Sequence, residues 1–141
     1  MEKRSRNSSR FDNEKKIFSL MLLATGIFAI VGGLYTWGKG PIFSAPLGTD
    51  LKLFISDIII AGPFSIIATI GIWKCRYWGL LFCWFVCGVY LYGSIAVFVM
   101  LIQEGAPYSL ELIIPPIFGT LLSIMLLIWT KKNIHEFLED I

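Results

Sequence analysis

Two acidic residues stand inside otherwise apolar stretches of this sequence, Asp57 in LKLFISDIIIAGPF and Glu111 in SLELIIPP. A carboxylate so placed can hold a proton, a cation or an amine, or serve as one acid–base group. Neither acid has the companions that catalysis usually needs. The sequence holds no glycine-rich phosphate loop, nucleophile elbow or Ser–His–Asp set. Cys75, Cys83, Cys87 and the single histidine, His135, form neither a metal-ligand pattern nor a disulfide framework. No catalytic residue, metal or cofactor is therefore expected, and an enzyme has the least support of any function class. Tyr90 and Tyr92 are the candidate donors to Asp57, and they point to different helix faces, so only one can serve. Phe64 and Trp84 are the expected apolar lining of a ligand cavity, with Glu111 as its second acid. The plainer alternative is core packing for the aromatics and a favourable helix dipole for Glu111.

The elements that must carry these residues follow from composition. The chain has 141 residues, 56% hydrophobic and 16% charged, with mean hydropathy +0.73. An ordinary soluble domain is about 45–50% apolar and about 25% charged. The excess excludes a disordered chain, a nucleic-acid-binding domain and a normal soluble enzyme. Four apolar stretches, residues 17–37, 51–73, 78–102 and 110–129, each hold enough residues to cross a hydrocarbon layer of about 30 Å as a helix. Gly38-Lys39-Gly40-Pro41, Pro46 to Asp50, Lys74 to Tyr77 and Glu104 to Pro107 separate them. The apolar run after Lys16 is too long for a cleaved signal peptide and reads as a retained span. Short connections predict an all-α, up-down four-helix bundle over residues 17–130. A basic, flexible tail is expected over 1–16 and a short amphipathic helix on the inner membrane surface over 131–141.

Basic residues set the orientation. Lys3, Arg4, Arg6, Arg10, Lys15 and Lys16 precede the first span, and Lys74, Arg76, Lys131 and Lys132 fall on the same side, against Lys39 and Lys52 opposite. The positive-inside bias predicts a multi-pass cell-membrane protein with both termini cytoplasmic. Trp73, Tyr77, Trp78 and Trp129 would then mark the inner boundary, and Trp37 and Tyr108 the outer.

In this frame Asp57 lies about 6–9 Å below the outer boundary. A carboxylate costs about 2.5–3.5 kcal/mol at a helix centre and less near the interface, so such residues face protein rather than lipid. Steps of four from Asp57 reach Ala61, Ser65 and Thr69, a ridge of small side chains that lets another helix approach closely. Gly62 and Pro63 beside it loosen the local hydrogen-bond ladder. The fourth span repeats the pattern with Glu111, Pro115, Gly119 and Ser123, which hints at two related hairpins. Small residues also line the first span (Gly26, Ala29, Gly33) and the third (Gly79, Cys83, Cys87, Ser94). Lys52, five positions before Asp57, is an imperfect ion-pair partner. Failing that, the acid needs a tyrosine or serine, a water, a bound cation or its own proton.

The stretch Asp57 to Phe64, followed by Ile72-Trp73-Lys74 and Tyr77-Trp78-Gly79, resembles two groups of small four-span membrane proteins: the DoxX-like group and the EXPERA group of sterol isomerases and the sigma-2 receptor. The resemblance covers the second to fourth spans. It implies an intramembrane acid at Asp57 facing a ligand cavity open to lipid. The short outer loop at residues 39–50 and the lack of a histidine within the spans depart from the EXPERA pattern and speak against sterol isomerisation.

Three functions fit these features. One is binding of a hydrophobic or amine-bearing small molecule in a cavity near Asp57. Another is an accessory or scaffold subunit of a membrane complex, packed tightly and without a cavity. The third is a protomer of an ion- or proton-coupled transporter, which four spans would require to assemble at least as a homodimer. Expected partners are membrane lipids, the small molecule, and a second copy or partner subunit, with no nucleic acid.

Overall fold

A run of apolar residues too long for a soluble core satisfies its backbone N–H and C=O groups by becoming helix. The computed structural model describes the backbone of residues 2–39, 55–104 and 110–138, and the side chains of 10–35, 38, 55–103 and 113–138. Among these residues the chain is all helix and turn. Helix α1 spans Glu2–Lys39, and a π-helical turn, Ser56–Ala61, runs into α2, Gly62–Trp73. Helices α3, Tyr77–Glu104, and α4, Leu110–Lys132, follow, and a four-residue helix α5, His135–Leu138, ends the described chain. Four segments are long and apolar enough to cross a membrane: Arg10–Tyr35, Ser56–Trp73, Tyr77–Gln103 and Ile113–Lys132.

The sides of these helices are sorted as a membrane protein requires. Ile27, Val31, Ile59, Ile95, Leu121 and Ile128 are exposed, while Ser19, Ser65, Thr69, Ser94, Ser123 and Thr130 are buried. Three buried threonine hydroxyls satisfy themselves on their own helices, while the Ser19 and Ser123 hydroxyls find no partner among the described residues. Thr25 donates to Met21 O at 2.8 Å, Thr69 to Ser65 O at 2.8 Å and Thr130 to Leu126 O at 2.7 Å.

Sequence neighbours pack on one another. Against α1, Lys15 meets Cys75, Gly26 meets Ser65 and Gly33 meets Ile58, so residue numbers rise on one helix as they fall on the other. The same reversal pairs Gly71 with Gly79 and Ser65 with Tyr90, then Trp84 with Thr130 and Ser94 with Pro116. Each small-residue ridge is buried: Gly26 and Gly33, then Ala61, Ser65 and Thr69, then Gly79, Cys83, Cys87 and Ser94, then Gly119 and Ser123. The apolar core, built around Leu22, Ile72, Leu80, Val86, Leu122 and Leu126, lies toward the end that carries the Lys74–Arg76 turn.

That turn has a defined cap. Arg76 N donates to Gly71 O at 2.9 Å and Cys75 N to Ile72 O at 3.0 Å, the paired bonds of a Schellman motif. Cys75 occupies the left-handed position, φ 52°, that glycine usually fills. Lys15 Nζ reaches its sulfur at 3.4 Å and pairs with Asp12 at 3.2 Å.

Three expectations are corrected at this basic end. The segment expected as a flexible tail continues α1 without a break, and its Phe11, Glu14 and Lys15 side chains meet the bundle. Trp129, expected at the lipid interface, is 5% exposed. Phe11 stacks on it at 5.8 Å, Phe18 tilts against it at 4.9 Å and Phe137 meets it edge-on at 6.0 Å. Phe137, expected on the membrane surface, is thereby fully buried, because an aromatic ring gains more from a protein slot than from headgroups. Residues 139–141, the end of the expected amphipathic helix, lie outside the described residues.

Candidate functional site

The site around Asp57 begins with a backbone irregularity. Pro63 has no N–H to give Ile59 O, and its ring would clash with that carbonyl. The helix widens instead, and Gly62 N–H bonds back to Asp57 O, five residues away. Single π turns of this kind are frequent at functional sites. The widening shifts Asp57 off the simple four-residue ridge and sets it against α1, where a Cβ added to Gly33 would lie 3.6 Å from the Asp57 Cβ. Gly33 and Gly26 make room there. A Cβ on Gly26 would lie 2.8 Å from the Ser65 Cβ.

Two turns along from Asp57, Ser65 is fully buried between α1 and α3. Its hydroxyl lies 2.8 Å from the Tyr90 hydroxyl and 2.5 Å from Ala61 O. With Ser65 donating to Ala61 O, the Tyr90 O–H donates to Ser65. Among the described residues, no hydrogen bond reaches the half-buried Asp57 side chain. The Ser65–Tyr90 pair thus closes the α2–α3 seam, and two turns away Asp57, set against α1, keeps a carboxylate free to accept a donor.

The other expected site residues are distributed differently. Tyr92 is 76% exposed and faces away from the bundle, and the Tyr90 hydroxyl is engaged with Ser65, so neither tyrosine donates to Asp57 here. Phe64 packs on Phe82 at 5.5 Å and Phe85 at 5.2 Å. Trp84 turns toward the basic end, where its Nε1 donates to Thr130 Oγ1 at 2.8 Å. Glu111 is in α4, but its side chain, Lys52 and the loops at 40–54 and 105–109 lie outside the described residues. The sequence marks Ser65 only as a small ridge residue. Its donor partner 25 positions away is the signal that the sequence did not offer.

Two other features belong to the neighbourhood. Cys83 and Cys87 are buried side by side as free thiols next to Ser123, whose Oγ finds no hydrogen-bond partner among the described residues. Among the described residues no three His, Cys, Asp or Glu side chains come together as a metal-binding group. At the far, basic end, a groove of about 430 Å³ opens between α1 and α4, lined by Glu14, Ile17, Phe18, Met125, Ile128, Trp129 and Lys132. No protein-family model, curated protein or solved structure matches this chain.

Proposed function

We propose that this chain is a multi-pass membrane protein, an up-down four-helix bundle with both termini cytoplasmic, that binds a hydrophobic amine through Asp57. The observation that carries the reading is the half-buried Asp57 carboxylate, set against α1 two turns from the buried Ser65–Tyr90 pair and reached by no hydrogen bond among the described residues. An intramembrane carboxylate is held against its insertion cost by use, and a π turn at the same residue points the same way. An ammonium would take the carboxylate as its charged acceptor and leave the phenol to orient its neighbour. The resemblance of the Asp57–Phe64 stretch to DoxX-like and EXPERA proteins implies an acid facing a ligand cavity open to lipid, in keeping with this reading. Thermal unfolding of the purified protein with a panel of lipophilic tertiary amines tests it. A stabilising compound is expected for the wild type, with the shift lost in Asp57→Asn and reduced in Tyr90→Phe. A panel in which no amine stabilises the wild type more than Asp57→Asn rejects the reading.

The close approach of α2 and α3 at Gly71 and Gly79 favours a second reading, an accessory subunit whose tight packing serves a partner. Co-purification of a stoichiometric membrane partner from native membranes, unaffected by Asp57→Asn, would select it.

A further inference from the structure

The groove between α1 and α4 is remote from Asp57, and neither the amine reading nor the direction of insertion bears on it. Its walls are apolar and exposed: Ile17 is 56%, Met125 49% and Ile128 65% exposed. Its floor is the Phe18–Trp129 pair. Charge appears only at the mouth, where Glu14 and Lys132 face each other. The two carboxylate oxygens of Glu14 are already engaged. Arg10 Nε donates to Oε1 at 2.8 Å, and Trp129 Nε1 donates to Oε2 at 3.1 Å. Lys132, exposed, makes no ion pair among the described residues. With Arg10 and Lys132 flanking a single carboxylate, the mouth carries a net positive charge.

An apolar slot at the membrane surface, closed at one end by a spare cation, matches a molecule with a hydrocarbon tail and a negative head. Its volume falls within the range of about 300–1,000 Å³ typical of small-molecule sites. A zwitterionic head would bring its own positive group beside Arg10 and Lys132, where the single Glu14 carboxylate already leaves an excess of positive charge. We infer that this groove is a site for one anionic phospholipid, its acyl chain along Phe18, Met125 and Ile128 and its phosphate on the Lys132 ammonium.

Native mass spectrometry of the full chain, released from micelles loaded with equal phosphatidylglycerol and phosphatidylcholine, tests the site. One phosphatidylglycerol per chain is expected to persist on the wild type. Lys132→Gln should weaken retention about fivefold, the effect of one basic residue at a membrane surface. Ile128→Trp, which fills the groove without touching charge, should also reduce retention, and Lys131→Gln should leave it unchanged. Both Lys132 and Ile128 are exposed, so neither change threatens the fold. Equal retention of the two lipids overturns the assignment, as does equal weakening by Lys131→Gln or full retention by Ile128→Trp.

Discussion

Gly71 of α2 and Gly79 of α3 bring two helix backbones into direct contact, so that a methyl group on either would fall on the other's main chain. Backbone cannot swing aside as a flexible side chain does. Gly71→Ala or Gly79→Ala should therefore lower stability by about 1–3 kcal/mol or more. Gly88→Ala and Gly93→Ala, where an added Cβ meets nothing within 4 Å, should raise it by about 0.5–1 kcal/mol. Equilibrium unfolding of the four variants in mixed detergent, with equal losses throughout, would refute this division.

The Schellman turn offers a gain. Cys75 holds a left-handed conformation that costs a residue with a Cβ about 1–2 kcal/mol. Cys75→Gly should be stabilising by about 1 kcal/mol, less whatever the Lys15 contact contributes, and Cys75→Val clearly destabilising. A glycine variant less stable than the valine one would show that the sulfur, not the backbone, governs this turn.

Ser65 and Tyr90 should be energetically coupled. Interhelical hydrogen bonds in membrane proteins average about 0.6 kcal/mol in double-mutant cycles. The cycle built from Ser65→Ala and Tyr90→Phe should return a coupling of that order, favouring the intact pair. Strict additivity would mean that the two hydroxyls touch without holding the α2–α3 seam.

Asp57→Asn should match or exceed the wild type in thermal stability when no ligand is present. The substitution removes a charge from an apolar setting while keeping the shape of the side chain. A marked loss of stability would indicate that the carboxylate holds the fold together.

Phe137→Ala should cost about 3–5 kcal/mol, since a fully buried ring leaves the Trp129 cluster. Its effect should not add to that of Phe11→Ala, because the two rings also meet each other at 6.3 Å. Independent effects in the double variant would separate the C-terminal segment from the first helix.

The spans and the ridges of small residues were legible in the sequence, because apolar length and four-residue spacing are local properties. Gly26, Gly33, Ser65 and Gly119 all take the inward or seam-facing positions that this spacing implies, whereas the π turn moves Asp57 off its ridge. The π turn was only half legible. Gly62-Pro63 announces a disturbed ladder, but whether the helix kinks or widens depends on what packs beside it, here Ile30 against Gly62. Trp84 was misplaced for a related reason. Its indole found Thr130, 46 residues away, and no local pattern encodes that partner. The aromatic cluster around Trp129 lay further still from view, since the Trp129 indole donates to Glu14 across 115 positions.

That last distance bears on how the protein is made. Helices α1, α2, α3 and α4 each meet the neighbour next made by the ribosome, so hairpins can assemble as they emerge. Phe11, Glu14 and Phe18 are the exception: their ring and carboxylate partners, Trp129 and Phe137, are made only after α2, α3 and most of α4. Until then the flank of the first helix stays unmatched, and a chain stopped before Trp129 would keep it bare for the cell's quality-control machinery to recognise.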